Sequence, residues 1–172
     1  MRCARPQCPY ENTRVDVDSV LRVQVGASST DVRLMQSAVA EVNRTTTVDD
    51  FYCELCGAQC EGSESIAAFL EGRFVVIQAV RFRWDGNVLR RKKTGHLSIQ
   101  PRLEVGEHNF TLRAVVVHVG STIGGGHYVV YTHVRRHMRE RWVLWNDSSA
   151  RNVGWVDVAG AQGYLYLYER RQ

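Results

Sequence analysis

The chain has 172 residues, 44% of them hydrophobic, and a formal net charge of +4. That length and apolar content can bury a core, which excludes a disordered or fibrous class, and so mild a charge permits an anionic partner without requiring one. There is no apolar run of about 18 residues and no apolar stretch after Met1 of the kind that marks a secretory signal, so a cytoplasmic or nuclear chain without a membrane span is expected.

Residues 15–25 alternate apolar and polar through Val15, Val17, Val23 and Val25, the period of a half-buried strand. Ser-Ser-Thr-Asp at 28–31 offers a helix N-cap. Val32, Met35, Val39 and Val42 then recur at spacings of three and four, predicting a helix that ends near Asn43. Thr-Thr-Thr-Val-Asp-Asp at 45–50 reads as a loop returning to Cys53-x-x-Cys56. That cysteine spacing lets two thiolates reach one tetrahedral metal, and in a reducing compartment it favours zinc over a disulfide. Cys3, Cys8 and Cys60 complete an odd set of five.

After Gly62 a short segment at 66–70 leads into residues 73–82, which are too apolar for a sheet edge and are therefore expected as a central strand. Asp85-Gly86-Asn87 reads as its turn. Residues 88–99, 110–118, 127–134, 142–145 and 164–168 supply further strands between Gly, Asn and Asp clusters, so the second half is expected as an antiparallel sheet system. No internal repeat or long linker divides the chain.

Chemistry concentrates in His118-Val-Gly-Ser-Thr-Ile-Gly-Gly-Gly-His127-Tyr128. Three consecutive glycines, Gly124, Gly125 and Gly126, let backbone approach a ligand directly before a histidine that opens a strand. Trp142-Val-Leu-Trp145-Asn146-Asp147 ends a second strand in two polar residues, one of which can orient the imidazole of His127. A cysteine nucleophile needs such a base, and the base needs an acceptor on its other nitrogen to fix tautomer and direction. Arg90-Arg91-Lys92-Lys93 is a run of four cations that reads as a solvated strand face, with nucleic-acid contact the less favoured alternative. His96, His108, His133 and His137 show no ligand spacing and are expected as surface histidines.

Taken in order, Tyr52-x-Cys53-x-x-Cys56, Arg81-Phe82, Lys92-Lys93, Leu112-x-Ala114-Val-Val-Val-His118-x-Gly120, Gly-Gly-His127-Tyr128, Trp142-x-x-Trp145-Asn146-Asp147 and Tyr164-Leu-Tyr-Leu-Tyr168-Glu169 resemble the ubiquitin-specific proteases. The resemblance implies an α+β, papain-like fold of mainly antiparallel β palm and fingers, with the helical thumb absent. It divides the chain into a fingers-like part at 1–62 and a palm-like part at 63–172. It makes His127 the general base, Asn146 its orienter and Asp147 a neighbouring carboxylate that assists.

The same resemblance has Gly124, Gly125, Gly126, His118 and Tyr128 wall a channel for the two terminal glycines of ubiquitin. It implies a structural zinc held by Cys53 and Cys56 with Cys8 and Cys3, or with Cys60 as substitute, although the family's first Cys-x-x-Cys is here Cys3-x-x-x-x-Cys8. The family's Gly-Asn-x-Cys-Tyr nucleophile box does not occur in these residues, so the expectation is a partner of ubiquitin that supplies base and orienter without nucleophile. The alternatives are a non-catalytic ubiquitin-binding or scaffold module of the same fold, and a zinc-ribbon nucleic-acid binder.

Overall fold

The computed structural model describes residues 1–15, 18–66, 72–82, 84–85, 88–89, 92–122, 124–136 and 139–171. In chain order the elements are β1 (Arg2–Cys3), β2 (Leu21–Gln24), β3 (Val32–Leu34), α1 (Met35–Ala40), β4 (Arg44–Cys53), β5 (Ala58–Ile66), β6 (Phe74–Val80), β7 (Trp84–Asp85), β8 (Val88–Leu89), β9 (His96–Ser98), β10 (Arg102–Val105), β11 (His108–Val119), β12 (His127–Arg136), β13 (Arg139–Asn146), β14 (Ser149–Val153), α2 (Trp155–Gly160) and β15 (Gly163–Arg170). They form two compact units, Met1–Asp18 with Ala40–Phe69, and Ser19–Val39 with Leu70–Gln172. A single cut at 62/63 leaves out the excursion of residues 19–39 into the second unit. No helix among the described residues is long and apolar enough to cross a membrane.

The first unit is a three-stranded antiparallel sheet in the order β1-β5-β4. Residues 45–50, expected as a loop, are instead the first half of β4. Three consecutive β-branched threonines suit a pleated strand, and Thr45 and Ser65 hydroxyls bond across it at 2.8 Å. The register shifts between Val48 and Phe51, where Asp50 has φ 58. Among the described apolar residues of this unit only Cys53 is fully buried, so the sheet has almost no hydrophobic core of its own.

The second unit holds a sheet in the order β14-β13-β12-β11-β15-β6-β2, with β10 paired to β11. β6 is bonded on both sides, antiparallel to β15 and parallel to β2, and turns Val75, Ile77 and Ala79 into the core while Phe74 is exposed and Gln78 sits on the opposite face. Ile77, Ala79, Tyr166, Phe110 and Val115 are all completely buried and form the core.

The helix expected over 32–43 is shorter. The Asp31 carboxylate accepts the Ser28 N–H at 2.9 Å, closing a turn at 28–31, and the Asp31 carbonyl accepts the His96 N–H at 2.8 Å. That carries Val32–Leu34 into parallel pairing with β9, and the helical spacing operates only in α1, through buried Met35, Ala38 and Val39. Likewise β8 and β9 replace one strand over 88–99, and the strand over 15–25 reduces to β2. Val17, residues 67–70 of the segment before β6, Gly86 and Asn87 of the turn, Arg90, Arg91 and His137 lie outside the described residues. Around these differences the architecture is the mainly antiparallel α+β one expected.

Candidate active site and thiol cluster

β12 and β13 are antiparallel, with Val130 opposite Trp145. Continuing that register by one residue sets Asn146 opposite Val129, and His127, two positions earlier, shares its face as a diagonal neighbour. His127 opens one strand and Asn146 closes the other, so the hairpin brings its two outer ends together. The imidazole Nε2 lies 2.5 Å from Asn146 Oδ1. An amide oxygen only accepts, so Nε2 carries the proton and donates, leaving Nδ1 as the ring's lone pair. The Asp147 carboxylate lies 3.9 Å from the same Nε2, on a residue with φ 48. The loop after β13 therefore turns sharply enough to bring a second acceptor to the ring.

The pairing His118↔Tyr128 places a second histidine beside this hairpin. His118 is only 3% exposed, its ring packed 4.9 Å from Tyr128 and 5.6 Å from Phe82. Its Nδ1 has no hydrogen-bond partner among the described residues. Burial pushes its pKa below the ordinary value, the Lys92 ammonium adds to that, and the Gly125 carbonyl opposes both.

Gly126 approaches this ring closely: a Cβ there would lie 2.2 Å from His118 Nε2 and 2.8 Å from the Val119 carbonyl oxygen, at φ 157. A Cβ at Gly124 or Gly125 would meet nothing within 4 Å. The three glycines thus differ in kind. Gly126 is required by its own fold, whereas Gly124 and Gly125 border open space.

Lys92 is not the solvated cation its run suggests. Its ammonium donates to the carbonyls of His118 and, at 3.1 Å, Gly120, so it ties down the start of the glycine loop, and burial lowers its pKa. Arg81 is fully buried and donates to the carbonyls of Gly163 at 2.8 Å and Gly95 at 2.7 Å, joining β15 to the segment before β9. Both belonged to recognised motifs, but nothing in linear spacing distinguishes a cation that clamps carbonyls from one in water. His133 also departs from a surface role: its side chain is 14% exposed, and Nδ1 accepts from Arg113 at 3.2 Å.

The thiols of Cys3, Cys8, Cys53 and Cys56 lie within 4.8 Å of one another. Cys8 Sγ is 3.4 Å from Cys56 Sγ and 3.7 Å from Cys53 Sγ. A tetrahedron of sulfurs with Zn–S of about 2.3 Å has edges of about 3.8 Å, so the four donors fit a closed structural zinc site. The extra residues between Cys3 and Cys8 do not prevent this, because β1 pairs with β5 and sets Cys3 opposite Gly62. Cys60 is the fifth thiol, 3.3 Å from Cys3 Sγ.

The cluster shifts its thiols in opposite directions: a backbone hydrogen bond from Arg5 brings Cys3 down to about 7, while Cys8 and Cys53 push Cys56 up to about 12. A divalent metal would favour the thiolate at each. All five cysteines belong to the first unit and His127 to the second.

The sequence matches the family description "Ubiquitin carboxyl-terminal hydrolase" over residues 11–168. Among curated relatives, ubiquitin carboxyl-terminal hydrolase 4 of Arabidopsis thaliana is 27% identical over 98% of this chain and 50% of its own length. Ubiquitin carboxyl-terminal hydrolase 14 of Schizosaccharomyces pombe is 37% identical over 36% of this chain and 8% of its own. Of solved structures, a SAGA DUB module of Ubp8, Sgf11, Sus1 and Sgf73 bound to monoubiquitin superposes with a TM-score of 0.80 at 20% identity, over 99% of this chain and 39% of that one. The same four-protein module bound to ubiquitin aldehyde gives 0.67 at 19% identity, over 88% and 36%. The chain thus spans half or less of the length of these relatives.

Proposed function

The chain belongs to the ubiquitin carboxyl-terminal hydrolase family, and from that premise we propose that it supplies the base half of a thiol-dependent deubiquitinating site and part of the cradle for the ubiquitin tail. The observation that carries this is the 2.5 Å bond from His127 Nε2 to Asn146 Oδ1. With Nε2–H engaged, the Nδ1 lone pair is the atom that takes a proton from an attacking thiol and returns it to the leaving amine. Asn146 holds the ring in that tautomer, and the Asp147 carboxylate stabilises the imidazolium while it lasts. The nucleophilic cysteine of such a site is not among these residues.

Ubiquitin as partner is supported by the ligands of the similar structures, monoubiquitin and ubiquitin aldehyde. It is supported again by the open space at Gly124 and Gly125, where a Cβ would meet nothing within 4 Å, which leaves room for an extended tail against the loop. Cys3, Cys8, Cys53 and Cys56 would hold zinc, whose chemistry here is to compensate four thiolates and tie β1 to the β4–β5 hairpin. The place of action is cytosolic or nuclear, where unpaired thiols persist.

The test is titration of the isotope-labelled chain with ubiquitin and with ubiquitin lacking its last two glycines. Amide shifts at residues 124–128 that need the intact tail, and that weaken in Gly125→Leu without loss of stability, are expected. Shifts indifferent to the tail would contradict the proposal.

A further inference from the structure

Away from the His127–Asn146 pair, the second unit carries a groove of about 640 Å³ lined by Arg73, Arg102, Arg113, Arg135, Arg170 and Arg171. His133 and Arg135 stand six and eight positions after His127 on β12, and Glu140 and Trp142 face them on β13. Even spacings keep all four on the face that carries His127 and Asn146. Eight residues at about 3.3 Å each put Arg135 about 26 Å from His127, at the far end of the sheet.

Only Glu140 and Glu169 among the lining residues are acidic, so the groove holds a surplus of four positive charges, as large as the net charge of the whole chain. Arg102 and Arg171 have no acidic partner among the described residues, and Arg135 has only Glu140, at 3.8 Å.

How these guanidinium groups treat an anion is visible within the groove. Arg73 donates from Nε at 2.9 Å and Nη2 at 2.6 Å to Glu169 Oε1, and Arg113 donates from Nε at 2.8 Å to Oε2. Both oxygens of one carboxylate are gripped by two planar forks. Beside them Leu112, Trp142 and Pro101 give the lining an apolar stretch. The indole of Trp142 is already packed against His133 at 5.0 Å and Trp155 at 5.9 Å, so it does not offer the free face on which a nucleic-acid base would stack. A phosphate backbone, charged at every step, would also meet Glu140 and Glu169, whereas a peptide can place its acids around them.

We propose that this groove binds an acidic segment of a protein partner, two or more carboxylates flanking one apolar side chain. It does so independently of whether the His127 end of the sheet takes part in ubiquitin cleavage. The Arg102 and Arg171 side of the groove receives the carboxylates and the Trp142 side receives the apolar residue.

The experiment is fluorescence anisotropy of a labelled dodecapeptide of Glu and Asp with one central Leu, titrated with the full 172-residue chain at low and at physiological ionic strength. Saturable binding is expected, weakened about tenfold or more by R102E with R171E and weakened by salt. The pair R44E with R151E, an equal change of net charge elsewhere, is expected to leave binding within about twofold. Should the double groove variant lose its folded circular dichroism, R171E alone, just beyond the last strand, is expected to weaken binding several-fold.

Four outcomes would overturn the proposal: no saturable binding, equal binding of the Gln and Asn version of the peptide, equal loss in the control pair, or displacement of the peptide by a single-stranded oligonucleotide at lower charge concentration than by unlabelled peptide.

Discussion

Alanine at Gly126 should destabilise the second unit, whereas alanine at its two neighbours should not. The Gly126 Cβ would stand 2.2 Å from His118 Nε2, 2.8 Å from His118 Cε1 and 2.8 Å from the Val119 carbonyl oxygen. The ring has little room to retreat, being 3% exposed and flanked by Phe82 and Tyr128. Overpacking of a closed site costs about 1–3 kcal/mol, and a non-glycine residue held at φ 157 adds about 1–3 kcal/mol. A loss of about 3 kcal/mol is therefore expected, against a total stability of about 5–15 kcal/mol.

Urea unfolding followed by tryptophan fluorescence reads this directly, because all four tryptophans lie in the second unit. With a slope of about 1–3 kcal/mol per molar, the midpoint should fall by about 1–3 M for Gly126→Ala. Gly124→Ala and Gly125→Ala, which meet nothing within 4 Å, should stay within about 0.5 kcal/mol of the parent. Equal midpoints for all three variants, or a larger loss at Gly125, would refute the packing of the loop against His118.

Three further outcomes follow from the same geometry. Protein prepared without chelator should contain about one zinc per chain, and Cys56→Ser or chelation should unfold the first unit while tryptophan fluorescence of the second persists, since a sheet with so little core depends on its metal; intact amide dispersion after complete metal removal would contradict this. The isolated chain should not hydrolyse a ubiquitin C-terminal fluorogenic amide, because base and orienter do not replace a covalent nucleophile; turnover abolished by His127→Ala would overturn that expectation. Stability should fall as pH drops below about 6.5, the ordinary histidine value. The unfolded chain takes up protons at His118 and His133 there, and the folded one, whose pKa values burial lowers, does not. A His118→Phe variant that stays folded should flatten this slope, and an unchanged slope would assign it elsewhere.

Much of the site was legible because its residues adjoin in sequence the glycines and aromatics that position them. A histidine straight after three glycines and an Asn-Asp pair at the end of a tryptophan-rich strand needed only a hairpin to meet, and β12 and β13 provide it. The central strand β6 was legible from its apolar run, of which Val75, Ile77 and Ala79 enter the core. What linear patterns missed were decisions made by distant partners. Residues 32–34 carry a helical period yet pair with β9, 64 residues later in register. Residues 45–50 look like a polar loop, yet β5 supplies their ladder. Lys92 looks like a surface cation, but its ligands are carbonyls far along the chain, and the carbonyl clamp made by Arg81 leaves no mark in the linear pattern. The choice of Cys3 over Cys60 among the four clustered donors rests on the pairing of a two-residue strand, which no spacing rule encodes.

The most direct test of the base-and-orienter assignment is the tautomer of His127, read from two-bond proton–nitrogen correlations of the histidine rings near neutral pH. A ring protonated on Nε2 in the parent chain, passing to a mixture of tautomers in Asn146→Ala with the backbone spectrum otherwise preserved, is the predicted result. A ring protonated on Nδ1, or one that Asn146→Ala leaves unchanged, would contradict it.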